Sequence, residues 1–141
     1  MKYDDKHIFT IFTAHHLLKN YLIKVLKDEG IRITPAHSTI LFLLEKESPL
    51  TMTDLSNTLN LDNSTVTGLV DRLERSGFVY RSDYPDDRRK WGVSITKEGK
   101  DEIKRARVII KRINSEIESG FSKDEMAALQ RVLAGFNEKF R

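Results

Sequence analysis

The sequence predicts a mostly α-helical chain with one small β-hairpin, ordered α-α-α-α-β-β-α-α. Three observations lead there. Between residues 50 and 77 two short helical patterns are separated by a tight turn. Two strand-like runs follow at once, flanking a turn-rich basic loop. Long amphipathic patterns occupy both ends of the chain. Helix, short turn, helix and then hairpin is the winged helix-turn-helix arrangement.

Each element has its own local signal. Ile8, Ile11, Phe12, Leu18, Leu22, Val25 and Leu26 recur with a period near that of an α-helix, and Gly30 ends the pattern. Thr34 and Pro35 open a second helix as cap and first-turn proline, and its apolar run stops before Ser48-Pro49. Thr51 and Asp54 have capping-box spacing, with Asp in place of the usual Glu or Gln, so a short third helix starts there. Asn60-Leu61-Asp62 is the turn, and either Asp62 or Asn63 caps a fourth helix running to about Ser76, terminated by Gly77. Residues 78–81 and 91–95 read as strands. Thr96 caps a long helix to about Ser119, and Ser122 with Glu125 starts a last one.

Composition narrows the function classes. Hydrophobic residues are 39% and charged residues 32% of the 141, ordinary for a globular domain with its own core. With no cysteine, disulfides, thiolate metal sites, thiol catalysis and a cysteine redox switch are all excluded. The N-terminus lacks the apolar core of a secretory signal and no apolar run could span a bilayer, so a cytoplasmic protein is expected. The P-loop, dinucleotide, G-x-S-x-G and H-E-x-x-H fingerprints are missing, so an enzyme is not expected. The net charge of +3 is unevenly spread: residues 72–112 carry thirteen Lys/Arg against seven Asp/Glu, while the remainder is net acidic. A basic band of this kind fits either a face that docks on phosphates or a solvated helix face.

The fourth helix and the hairpin carry the chemistry. Val66, Leu69, Val70 and Leu73 form one apolar stripe that must face the body. The opposite face carries Ser64, Thr67, Gly68, Asp71 and Arg75, with Thr65 and Arg72 on its shoulders and Asn63 at the helix start. Short hydroxyls and a glycine let a helix approach base edges closely, where long Glu/Lys pairs would hold it off. The helix N-terminus also directs N–H groups at phosphates. On the hairpin, Asp87, Arg88, Arg89 and Lys90 crowd the tip, where an arginine can reach an adjacent minor groove and Asp87 can orient it. The helical face read alone also fits a core helix with a neutral polar edge, and the loop read alone fits a solvated turn.

These residues resemble the multiple-antibiotic-resistance regulator family, MarR. The resemblance rests on Leu50 to Ser56, on Leu61 to Val79, and on Asp87-Arg88-Arg89 followed by Val93 to Gly99. It implies a homodimeric transcription regulator, more often a repressor, that binds pseudo-palindromic duplex DNA. Ser64, Thr65, Thr67 and Arg72 would then touch the major groove or its phosphates, and Arg89 would enter the minor groove. Gly68 departs from the family pattern, which frequently has arginine there.

The same resemblance implies that residues 1–30 and 120–141 form the dimerisation region and 31–119 the DNA-binding region. The last helix offers Met126, Leu129, Leu133, Phe136 and Phe140, a seam-like pattern that also fits intrachain packing. Effectors of the family are often small aromatic or anionic molecules held between these regions, and His15, His16 and His37 are candidates to lie near such a crevice. No His-x-x-x-His spacing occurs and the fifth helix lacks histidine, so neither a zinc site nor a cofactor is expected. A winged-helix module for protein or RNA contacts is the competing reading.

Overall fold

The computed structural model of the chain describes residues 6–84 and 87–141, and at 84 and 87–90 the backbone only. Among the described residues seven helices and three strands follow in order: α1 Lys6–Asp28, α2 Pro35–Lys46, β1 Leu50–Thr51, α3 Met52–Leu59, α4 Asn63–Arg75, β2 Val79–Tyr84, β3 Asp87–Ile95, α5 Lys97–Glu118, α6 Lys123–Ala134 and α7 Phe136–Lys139. This is the predicted winged helix-turn-helix with two additions, the strand β1 and the short helix α7, which follows a break in the expected last helix at Gly135. The two-residue β1 pairs antiparallel with β3, setting Leu50 opposite Val93 and Thr51 opposite Gly92, so the sheet runs β1-β3-β2. A two-residue strand has no alternation to read, which is why the pattern shows only a hairpin. The strands also extend further toward the tip than residues 78–81 and 91–95.

The caps explain where the helices begin. Thr51 accepts from the Asp54 amide at 3.0 Å, and the Asp54 carboxylate accepts from the Thr51 amide at 3.0 Å. Asp62, not Asn63, caps α4, its carboxylate accepting from the Thr65 amide at 2.6 Å. Ser122 and Glu125 close the same reciprocal box on α6. Asn60 supplies the left-handed residue that turns α3 toward α4, at φ 54°. α1 and α4 end alike. Gly30 and Gly77 adopt φ 77° and 80°, and each is followed by an apolar residue whose amide reaches back five positions: Ile31 to Leu26 and Phe78 to Leu73. All four of those apolar residues are buried, the usual companion of this helix ending.

The chain divides into two compact units, residues 1–107 and 108–141, with α5 running from one into the other. In the first, Ile40, Leu41 and Leu44 of α2 and Leu55 of α3 are buried with Val66, Val70 and Leu73 of α4. Phe78, Val93 and Ile103 extend this core to the sheet and α5. α1 keeps much of its apolar surface in the open, with Phe12 70% exposed. In the second unit α6 has no buried residue, and of the seam only Met126 and Phe136 are even half-buried. Phe136 and Phe140 meet edge to face at 5.4 Å, leaving Phe140 76% exposed.

The tightest point lies where α4, β2 and α5 converge. The Thr96 amide and hydroxyl donate to the carbonyls of Phe78 and Gly77 at 3.0 and 2.6 Å, and the Gly99 amide donates to Thr96 Oγ1 at 3.0 Å. A Cβ at Gly99 would collide with the Phe78 carbonyl oxygen and lie 2.8 Å from Ile95 Cγ1. Since the obstacle is backbone, Gly99→Ala is expected to cost about 1–3 kcal/mol. Urea unfolding reads this directly as a lower midpoint, and an unchanged midpoint would contradict the packing described.

Candidate nucleic-acid interface

α4 separates its two faces cleanly. Val66, Val70 and Leu73 are fully or almost fully buried and Leu69 is half-buried, while Asn63, Ser64, Thr65, Thr67, Gly68 and Arg72 are exposed. The predicted contact residues of the helix are therefore brought onto one open surface. At Gly68 a Cβ would meet nothing within 4 Å, so the backbone there is bare and no neighbour requires the glycine. A second body could approach that stretch more closely than any side chain larger than glycine would permit.

The hydroxyls are already oriented. Ser64 Oγ donates to Asp62 Oδ1 at 2.9 Å, and Thr67 Oγ1 donates to the Asn63 carbonyl at 2.7 Å. Their lone pairs remain as acceptors for an incoming donor such as a base amine. The Asp62 carboxyl is held below its usual range, first by the Thr65 amide and then by the Thr65 and Ser64 side chains. One expectation narrows here. The Thr65 amide is committed to Asp62, so it is not among the free N–H groups at the helix start, and a fixed negative charge stands beside them.

The wing is joined to α4 by a residue that the sequence pattern did not single out. Arg81, on β2 opposite Val93, turns inward and donates through Nη2 to Asp71 Oδ1. Its Nε stands 3.6 Å from Glu74 Oε1, and its guanidinium lies 4.6 Å from the centre of the Trp91 ring on β3. Two acids of α4 and an aromatic ring of the wing thus grip one cation. The signal was available: Arg81 follows the buried Val79 by two on a strand, which points both the same way, and Asp71 and Glu74 are three apart on a helix. The side chains of Asp87, Arg88, Arg89 and Lys90 lie outside the described residues; their backbone belongs to β3.

The three candidate histidines have separate surroundings. His15 lines an open cleft of about 520 Å³ between α1 and the start of α2. Leu18, Leu22, Ile23 and Pro35 supply its apolar walls, and Lys19, Thr34 and Thr39 its polar ones. His16 Nε2 lies 3.1 Å from Asn20 Nδ2 on exposed surface. His37 belongs to the cap of α2 and lines a different, much smaller cavity.

Comparison with known proteins agrees with this geometry. A family model described as "MarR family" matches residues 33–91. The chain is 34% identical over 88 residues to the HTH-type transcriptional repressor YetL of Bacillus subtilis (strain 168), covering 61% of this chain and 49% of that protein. It is 26% identical over 132 residues to the homoprotocatechuate degradative operon repressor of Escherichia coli, covering 94% and 88%. The chain thus spans about half the length of the first relative and most of the second. Among solved structures, MepR of S. aureus in its DNA complex superposes with a TM-score of 0.84 at 20% identity, covering 96% of each chain. The PcaV transcriptional regulator of Streptomyces coelicolor, in complex with its natural ligand, gives 0.79 at 25% identity, covering 96% of this chain and 92% of that one.

Arg81→Ala removes the cation from between Asp71, Glu74 and Trp91, and is expected to cost about 1–2 kcal/mol of stability. Trp91 is the chain's single tryptophan, so its fluorescence also reports the change in the native state. A variant with native stability and unaltered emission would show that the grip is not maintained in solution.

Proposed function

The chain belongs to the MarR family, and we propose that it is a cytoplasmic transcriptional repressor that binds a pseudo-palindromic operator as a homodimer and is released by a small molecule. The family and the relatives above are transcription regulators, not enzymes. Among the described residues no helix is long and apolar enough to cross a membrane.

The observation that carries the reading is α4, whose buried stripe backs an exposed face of small polar groups around a bare Gly68. On this reading Ser64, Thr65, Thr67 and Gly68 meet base edges in the major groove, while Asn63 and Arg72 meet phosphates. Arg89, flanked by Asp87, Arg88 and Lys90, enters the neighbouring minor groove.

Exposed apolar surface supports the dimer. Ile8 and Phe12 on α1, and Phe121, Val132 and Phe140 in the second unit, are all more than half exposed. Apolar surface in such quantity ordinarily marks a protein interface. Residues 1–30 and 120–141 are assigned to that interface and 31–119 to DNA binding. The two recognition helices of a dimer would meet successive major grooves about 34–36 Å apart.

The cleft between α1 and α2 suits an effector. Its apolar walls with His15 and Lys19 at the edge fit a small aromatic or aliphatic anion. Such a ligand weakens DNA binding to the extent that it prefers a conformation the operator does not.

Selection from random duplexes followed by a mobility-shift assay at physiological salt tests the proposal. One selected duplex should bind far more tightly than random sequence, with paired half-sites. Arg89→Ala should lower the affinity by about 1–3 kcal/mol. Equal affinity for selected and random duplex would overturn sequence-specific binding, and an indifferent Arg89→Ala would remove the minor-groove contact.

A further inference from the structure

α2 is capped in an unusual way. In the reciprocal box the third helical residue ordinarily brings a Glu or Gln side chain back to the cap amide. Here that residue is His37, and its imidazole takes the role. The His37 amide donates to Thr34 Oγ1 at 3.4 Å, and the Thr34 amide donates to His37 Nδ1 at 3.3 Å. The Thr34 hydroxyl also lies 2.7 Å from Nδ1.

This geometry fixes the tautomer. A nitrogen that accepts from an amide carries no proton, so the proton of neutral His37 sits on Nε2. That atom is buried without a hydrogen-bond partner among the described residues, on a side chain whose residue is 6% exposed. His37 lines a cavity of about 20 Å³, room for one water, which Arg32, Arg72 and Ser76 also line. Arg72 comes from α4 and Arg32 from the segment before α2. Arg32 is paired at 3.6 Å with Glu102 of α5, an acid that Arg105 also engages at 3.3 Å.

A second proton must go to Nδ1. It takes the acceptor of the box away from the Thr34 amide, leaves the Thr34 hydroxyl oxygen to accept from the ring, and places an imidazolium in a cavity lined by Arg32 and Arg72. We propose that His37 is a proton-responsive positioning residue for the recognition helix: neutral, it fastens the start of α2 and leaves Arg72 of α4 in place; protonated, it lets go of the Thr34 amide, repels Arg72 and weakens DNA binding. The proposal rests on the reading of α4 as the helix that meets DNA. The first turn of α2 also walls the α1–α2 cleft through Thr34, Pro35, Ala36 and Thr39, so the same release alters that cleft.

The direction of the effect follows from the surroundings. Burial first, and Arg72 second, hold the His37 pKa below its ordinary 6.5. As pH falls, the unfolded chain takes the proton before the folded one does. The stability contributed by neutral His37 is therefore full above about pH 6.5 and shrinks as acid is added below it.

The test uses the full chain and the duplex it selects from a random pool at about pH 7.5. Affinity of the natural chain is expected to fall severalfold by about pH 5.5, and by less than about tenfold because the His37 pKa lies below 6.5. His37→Gln, whose amide completes the box without titrating, should stay within about twofold across that range. His7, His15 and His16 remain in both proteins, so the difference reports His37. A flat profile in the natural chain, or an equal fall in the variant, overturns the proposal. Imidazole ¹⁵N resonances of the natural chain decide independently of any variant: an Nε2–H tautomer titrating below 6.5 is expected, and an Nδ1–H tautomer overturns it. If no duplex is selected, the DNA reading itself has failed. Amide exchange along α4 then separates the two, faster exchange in acid for the natural chain alone supporting His37 control and equal exchange opposing it.

Discussion

The junction at Gly77 and Phe78 is the constraint on which the rest of the architecture depends. There the last turn of α4 closes on the Phe78 amide, and the Phe78 carbonyl receives the Thr96 amide that starts α5. Gly99 leaves the space that this crossing occupies. Three elements therefore share one buried residue, with Phe78 only 1% exposed. Where α4 ends, the wing must begin, and the helix after the wing must return to the same spot. Arg81 makes a second tie two residues after Val79, from β2 to the acids of α4. Helix and wing are thus held as one body, which the proposed contact with two grooves at once requires.

Much of this was legible from short-range chemistry. Thr51 with Asp54, Ser122 with Glu125, and glycines at positions 30 and 77 mark element ends because caps need particular atoms at particular offsets. The buried stripe of α4 was legible because a helix repeats its face every three or four residues. What escaped depends on partners distant in sequence. β1 exists because Leu50 meets Val93, 43 positions on, and two residues show no periodicity of their own. Gly99 looks like a weak spot in a helix until the Phe78 carbonyl is placed against it.

The candidate interface divides in the same way. The small polar face with Gly68 was legible because it violates what a surface helix normally displays. The roles of Arg81 and His37 were not legible, since each is defined by what surrounds it. Arg81 passes for one more member of a basic band until Asp71, Glu74 and Trp91 enclose it. His37 passes for a crevice residue until its imidazole is found completing the cap of α2. The acid at position 62 was legible as one of two candidate caps, and it is the one that orders the first turn of the exposed helix through Thr65 and Ser64.

The central claim is that the exposed face of α4 lies against DNA. Position 68 gives direct access, because nothing lies within 4 Å of a Cβ placed there and a bulky probe can be accommodated without disturbing the core. A photocrosslinking phenylalanine derivative at position 68 should form covalent adducts with the selected duplex on irradiation, at the centre of each half-site. The same group at Phe140, equally exposed but assigned to the dimer region, should crosslink protein to protein instead. Adducts with DNA from position 140, and none from position 68, would contradict the account.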